Sequence, residues 1–80
     1  MAKQLPVEIG DRFYYNNYCV KIGFSLPDYV IVKDIKQSKE CKNLYFITGK
    51  YERHFVNTSD RIFSSAIFDD PDWVVVKKES

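Results

Sequence analysis

The sequence predicts a small, mainly β protein: a curled five-stranded barrel with one short helix or 3-10 turn before the last strand. Three observations support this fold class. Short segments rich in aromatic and β-branched residues recur along the chain, scarce glycines and prolines separate them, and only one late segment changes to helical spacing. We expect one domain over 1–80, with a loose lead-in at 1–8, the barrel at 9–77 and a tail at 78–80, because a chain this short cannot form two cores.

The bulk composition excludes several classes of protein. With 45% hydrophobic and 16% aromatic residues, the chain can form a core and is unlike a disordered protein. A net charge of +1 over 80 residues excludes an acidic DNA mimic and disfavours a strongly basic nucleic-acid binder.

The first strand follows a turn signal at Gly10 and Asp11, where glycine can adopt positive φ and aspartate can bond its own backbone. Residues 13–15 begin this strand and the asparagines at 16–17 end it. Residues 18–22 alternate in polarity and predict a second short strand; the barrel has four strands if this segment is irregular.

Residues 29–35 form the strongest predicted strand, after a loop at 23–28. Val30 and Val32 share one face of it. Ile35 returns to that face only if a β-bulge lies near Lys33 and Asp34, and such bends are common in small, curled barrels.

A hairpin is predicted after the polar connection at 37–43. Residues 44–47 form its first strand, 48–50 a tight turn at Gly49, and 51–56 the returning strand. Neither face of 51–56 is purely apolar, which favours an edge strand.

The spacing changes after Asn57. One of residues 58–60 can cap a helix, and apolar residues at helical spacing within 62–67 predict a short helix or 3-10 turn. The segment 69–71 ends it at a proline. Residues 72–77 are apolar on both faces, which predicts a central last strand.

Three features of the sequence carry a resemblance to a known fold: Gly10-Asp11-Arg12-Phe13, the Val30-x-Val32-x-x-Ile35 strand and the hairpin at Gly49. Together they resemble an SH3-like barrel, which also has a short helical turn before its last strand. The chain is similar over about 9–77 to small single-domain proteins of bacterial and phage genomes that begin with Ile/Val-Gly-Asp-x-Phe. The resemblance implies a fold and transfers no functional residues.

The soft metal ligands of the chain are Cys19, Cys41 and His54, one fewer than a structural zinc site needs. We therefore expect no metal and no cofactor. Residues 1–6 lack the apolar core of a signal peptide and every apolar run is too short for a bilayer, so we expect a cytoplasmic protein with free thiols and no membrane partner. The sequence does not decide whether Cys19 and Cys41 form a disulfide.

No catalytic motif accompanies the one histidine, and we expect the protein not to be an enzyme. A Cys–His nucleophile pair would need an orienting group and an oxyanion loop, and neither is recognisable. Asp69, Asp70 and Asp72 are typical of a solvated turn that ends a helix, since calcium loops need more ligands at set spacing.

Charge is unevenly distributed: residues 33–54 carry +3 and residues 56–72 carry −3. A basic stripe beside Tyr45 and Tyr51 would suit single-stranded nucleic acid or RNA, with rings stacking on bases. Opposite charged lobes would also suit a protein partner, and ordinary solvated lysines explain the pattern as well. The basic residues concerned are Lys33, Lys36, Lys39, Lys42, Lys50 and Arg53.

The second candidate surface is aromatic. Tyr14 and Tyr15 are adjacent in a strand and must point to opposite faces, so at least one points away from the core. Tyrosine is enriched in interfaces because it combines a large apolar ring with a hydroxyl. These rings could instead cover the open end of the barrel. The predicted protein-binding residues are Tyr14, Tyr15, Tyr18, Phe24 and Tyr29.

The sequence therefore favours a non-catalytic protein-binding module, a small regulator or inhibitor that docks on a larger protein or complex. A phage-encoded host-takeover factor would fit the resemblance. The alternative is an SH3-like barrel that binds single-stranded nucleic acid or RNA through the basic face of 33–54.

Overall fold

The computed structural model describes residues 5–52 and 60–78. They form a mainly β fold with a short 3-10 helix directly before the last strand, which confirms the predicted fold class. The elements are β1 (Arg12–Tyr15), α1 (Tyr18–Lys21), β2 (Val30–Gln37), β3 (Tyr45–Tyr51), β4 (Arg61–Ser64), the 3-10 helix (Ser65–Asp69) and β5 (Trp73–Val76). No helix of the described ranges is long and apolar enough to cross a bilayer.

The five strands form one antiparallel sheet in the order β4-β3-β2-β1-β5. The sheet is unclosed among the described strands, so β5 lies at its edge and the prediction of a central last strand is wrong. All four residues of β5 are half-buried. The apolar pattern of residues 72–77 therefore indicates that both faces of β5 are partly buried. Such burial does not require a neighbouring strand on both sides.

The predicted bulge in the second strand is confirmed. The β2–β3 register shifts between Val32, which pairs with Gly49, and Asp34, which pairs with Thr48. The extra residue returns Ile35 to the core side, where it packs against the buried cluster.

Residues 48–50 lie inside β3, so the predicted tight turn at Gly49 is wrong. Gly49 pairs with Val32 and faces Val30, and a Cβ added at Gly49 would overlap Cγ1 of Val30. Glycine is needed here for close packing between strands and not for a turn. Most of the predicted returning strand at 51–56 lies outside the described residues.

The predicted strand at 18–22 is also wrong, because Tyr18–Lys21 is one helical turn. Its N-cap is Asn17, whose side-chain oxygen accepts a hydrogen bond from the Val20 N–H at 3.0 Å. This local bond satisfies a backbone donor that a strand would have to pair elsewhere, and none of the described strand pairings includes residues 18–21.

The predicted helix at 62–67 begins later than expected. Residues 61–64 form β4, in which Phe63 pairs with Ile47 of β3, and the 3-10 helix begins at Ser65. Ser64 caps it through its hydroxyl, which accepts from the Ala66 N–H at 3.2 Å. Residues 58 and 59, two of the predicted caps, lie outside the described part of the chain.

The core lies on one side of the sheet and centres on Phe13, which has no solvent exposure. The Phe13 ring meets the rings of Phe63 and Phe68 at 5.3 Å between centroids and that of Trp73 at 5.8 Å. Val7 is 2% exposed and belongs to the same cluster, so core packing begins before β1.

Candidate functional site

The predicted tyrosine surface divides between the two faces of the sheet. Tyr14 pairs with Val74 on the outer face, whereas Tyr15 pairs with Trp73 on the core side. The Tyr14 and Tyr29 rings meet edge-on at 5.2 Å, and the Arg12 guanidinium lies 5.3 Å from the Tyr29 ring centroid. Tyr14 and Tyr29 are therefore half-buried packing partners of each other.

The most exposed apolar residues lie on the connection between β1 and β2. Tyr18 is 73% exposed and Phe24 is 82% exposed, in agreement with their prediction as surface residues. Ile22 and Leu26 are also exposed, at 55% and 73%, although the sequence did not single them out. The sequence feature that could have identified them is the presence of two aliphatic residues in a segment that also contains Gly23 and Pro27. We call Tyr18, Ile22, Phe24 and Leu26 the 18–26 surface.

Local hydrogen bonds order this connection. The Cys19 carbonyl accepts from the N–H groups of Phe24 at 2.9 Å and Ser25 at 3.3 Å. Gly23 adopts φ +75°, which lets the chain reverse directly after α1. Tyr18 and Ile22 are four residues apart around a helical turn and share one face of it.

Asp72 anchors the connection to the last strand. Its carbonyl accepts from the Asn16 N–H at 2.7 Å, and its carboxylate binds the Lys21 ammonium at 2.7 Å. The hydrogen bond from Lys21 to Asp72 raises the pKa of Lys21 above its ordinary value. Asp72 thus ties the start of the connection, at Asn16, and the end of α1, at Lys21, to the turn before β5.

The basic residues are more dispersed than the tyrosines. Lys33 and Lys36 are exposed on β2, and Lys50 is half-buried on β3 opposite Ile31. Lys39 and Lys42 are exposed in the loop after β2, and Arg53 lies outside the described residues.

The tyrosine rings expected beside the basic residues lie on the opposite face of the sheet from Lys36 and Lys50. Tyr51 packs against the core, and Tyr45 occupies the same face of β3 by strand alternation. The ring on the basic face is Phe46, which is 41% exposed and pairs directly with Lys36. Tyr45 and Tyr51 thus lie on the opposite face from Lys36 and Lys50, whereas the Lys42 carbonyl accepts a hydrogen bond from Gln37, the pairing partner of Tyr45.

The acidic segment forms the turn that ends the 3-10 helix. The Asp70 carboxylate accepts from the Asp72 N–H at 2.9 Å, and the Asp70 carbonyl accepts from the Trp73 N–H at 3.2 Å. Across 5–52 and 60–78, no group of three or more His, Cys, Asp or Glu side chains is placed to hold a metal ion. Cys19 and Cys41 are exposed free thiols, and His54 lies outside the described residues.

A buried carboxylate that sequence reasoning did not identify lies at Asp11. It accepts hydrogen bonds from the Glu8 N–H at 2.8 Å, the Lys78 N–H at 2.9 Å and the Lys77 ammonium. Burial alone would raise the pKa of Asp11, but these hydrogen bonds outweigh it and lower the pKa to about 2. Asp11 therefore ties the start of β1 to the residues after β5.

No protein-family model matches the chain, and no curated protein and no solved structure matches it either.

Proposed function

We propose that the protein is a non-catalytic binding module that docks on another protein through the 18–26 surface. The observation that carries this proposal is the exposure, between 55% and 82%, of four large apolar side chains within nine consecutive residues. Concentrated exposed apolar residues mark sites of interaction, whereas single exposed ones do not.

The order of the connection supports the same proposal. The hydrogen bonds to the Cys19 carbonyl and the contacts of Asp72 with Asn16 and Lys21 order residues 16–25 of the connection before binding. A preorganised surface loses less conformational entropy when it binds, so more of the contact free energy contributes to affinity. Occupying a surface of a larger protein in this way would suit a regulator or inhibitor, including a phage factor that acts on a host complex, in a cytoplasmic setting.

The test compares two exposed sets of residues. Wild-type protein, a Tyr18→Ser/Phe24→Ser variant and an Ile62→Ser control are immobilised, and captured proteins are identified by mass spectrometry. Ile62 is 72% exposed on β4 and matches the tested residues in exposure. We expect a partner that binds the wild type and the Ile62→Ser control but binds the double variant at least about 30-fold more weakly by calorimetry, as for aromatic residues central to interfaces. Equal binding by all three proteins would contradict the assignment.

A second candidate is binding of single-stranded nucleic acid, favoured by the outer face of β2 and β3. There Lys36 stands directly opposite the exposed ring of Phe46, and Lys33 lies on the same strand. A ring for base stacking beside ammonium groups for phosphates is the arrangement such binding requires. Fluorescence anisotropy with labelled RNA and DNA oligonucleotides should then show binding at low salt that weakens steeply as salt rises. Absence of binding at low salt would eliminate this candidate.

A further inference from the structure

The last strand of the sheet has a free edge. Among the described strands β5 pairs with β1 alone, in a register that runs from Arg12 opposite Val76 to Tyr15 opposite Trp73. In an antiparallel pair, alternate residues turn their N–H and C=O groups toward the neighbouring strand, and the residues between them turn these groups away. Half of the backbone groups of β5 therefore lie on its free edge.

Hydrogen bonds at both ends of β5 fix this alternation. At one end the Asn16 N–H donates to the Asp72 carbonyl at 2.7 Å, and at the other the Lys78 N–H donates to the Asp11 carboxylate at 2.9 Å. The even-numbered residues of 72–78 therefore turn their backbone groups toward β1, and the odd-numbered residues turn theirs to the free edge.

The free edge presents two unpaired donors, the N–H groups of Val75 and Lys77. Its acceptors are the carbonyls of Trp73, Val75 and Lys77, whereas the Trp73 N–H already donates to the Asp70 carbonyl at 3.2 Å. Within 5–52 and 60–78, no hydrogen bond uses these two donors and three acceptors. Unpaired backbone groups on an edge strand are a template for pairing with a further strand.

A second copy of β5 supplies the missing partners. When two copies run antiparallel about a twofold axis at Val75, each Val75 N–H meets the Val75 carbonyl of the other copy. Each Lys77 N–H then meets the Trp73 carbonyl of the other copy. Both donors of each chain are thereby paired, and the carbonyl left over is that of Lys77, an exposed residue that water can reach. The free edge is complementary to itself, as a twofold interface requires.

The side chains of β5 favour the same pairing. Val74 of one copy stands opposite Val76 of the other in a non-hydrogen-bonded pair, the kind in which side chains approach most closely. Residues 73–76 are half-buried and contain no charge, no proline and no bulge, which are common protections of an edge strand. The charged side chains that flank the strand already have partners within the chain, so backbone pairing and apolar contact carry the association.

We propose that β5 pairs antiparallel with β5 of a second copy of this chain, which joins the two sheets into one across a symmetric dimer. The proposal does not rest on the docking function, because the 18–26 surface takes no part in this pairing. Two four-residue strands form a smaller interface than the roughly 1,200–2,000 Å² of stable complexes. The dimer is therefore weak, and half of the protein associates at about 0.1–1 mM.

The concentration dependence of the wild-type protein tests the pairing. Sedimentation equilibrium between about 10 µM and 1 mM should show monomer converting to dimer. The Val75 amide should exchange about two- to fivefold more slowly at the higher concentration, while the amide of exposed Lys39 should not change. This slowing is small beside the protection of amides bonded to β1, so the edge position of β5 stays measurable. Monomer alone at about 1 mM would overturn the proposal.

Charge variants locate the pairing at β5. Val74→Lys/Val76→Lys and Val74→Glu/Val76→Glu each place like charges opposite one another, so each variant alone should dimerise at least about tenfold more weakly. An equimolar mixture of the two places opposite charges together and should restore a heterodimer. Two-dimensional NMR spectra check that both variants stay folded.

Ile62→Lys is the control, because Ile62 is 72% exposed on β4, at the other end of the sheet. This variant should dimerise like the wild type. Folded charge variants that dimerise as well as the wild type, a mixture that stays monomeric, or loss of the dimer in Ile62→Lys would each contradict pairing through β5.

Discussion

The carboxylate of Asp11, which has no solvent exposure, accepts a hydrogen bond from the ammonium group of Lys77, 66 residues further along the chain. With the Lys78 N–H on its other oxygen, this carboxylate joins the entry of β1 to the exit of β5. These strands are already antiparallel neighbours, so the contact fixes the ends of the pairing.

The pKa of Asp11 predicts a loss of stability in acid. Its folded pKa of about 2 lies below the ordinary value of 3.8, so the carboxylate stabilises the fold above the ordinary pKa. That contribution is lost as the pH falls through the folded pKa. We expect the free energy of unfolding, measured with urea, to fall by about 2 kcal/mol between about pH 5 and pH 2 from this group.

A substitution isolates that contribution. Asp11→Asn should cost about 2 kcal/mol or more at pH 7 and flatten the acid limb of the stability profile, because the amide cannot bind the ammonium and both N–H groups as well. Asp60→Asn, at an exposed position, is the matched control and should change stability by less than about 0.5 kcal/mol. Parallel pH profiles for the wild type and Asp11→Asn would contradict the role of Asp11.

Gly49 should tolerate no side chain. A Cβ at this position would overlap Cγ1 of Val30 and lie 3.3 Å from the Ile31 carbonyl oxygen. We expect Gly49→Ala to destabilise the protein by about 1–3 kcal/mol, because β2 and β3 must move apart. Thermal and urea unfolding measure this change.

Gly23→Ala provides the comparison, because a Cβ there meets nothing within 4 Å but the φ of +75° is unfavourable for alanine. Its cost should be about 1–2 kcal/mol and arise from backbone conformation alone. A Gly49→Ala variant as stable as the wild type would show that the strands can separate without loss.

The Phe13 ring should contribute a large part of the total stability. Its edge-on contacts with Phe63 and Phe68 and its tilted contact with Trp73 fill the centre of the core. Phe13→Ala should cost about 3–5 kcal/mol, which is comparable to the whole stability of a small domain. Circular dichroism of the variant at 25 °C should therefore show a largely unfolded population. Phe24 is 82% exposed, so the Phe24→Ala control should have the same unfolding midpoint as the wild type. A fully folded Phe13→Ala variant would contradict the described core.

Hydrogen exchange should distinguish an edge strand from a central one. β5 has one described neighbour, β1, so the amides of 74–76 should alternate between slow and fast exchange, because only those facing β1 can bond to it. The Trp73 amide is left out because it donates to the Asp70 carbonyl. Residues 30–32 lie between β1 and β3 and should be protected more uniformly. Uniformly slow exchange over 74–76, measured by NMR, would contradict the edge position.

Part of the candidate site could be predicted from local sequence. Adjacent tyrosines at 14 and 15 had to face opposite ways, and Tyr18 and Phe24 are exposed as expected. The free edge of β5 could not be predicted, because it depends on which strand pairs with β5 across the chain. Leu26 was equally inaccessible to sequence reasoning, since an aliphatic residue in a loop can be buried or exposed.

The amino-acid sequence by itself determined the β-rich class, the bulge after Val32, the turn at Gly10 and the end of the 3-10 helix before Pro71. Each depends on backbone preferences or on apolar spacing within a few residues. Long-range pairing determined the strand at 61–64, the packing role of Gly49, the edge position of β5 and the burial of Asp11. In each case the partner lies far along the chain, and the hydrogen bonds or contacts that it supplies outweigh local propensities of a few tenths of a kcal/mol to about 1 kcal/mol.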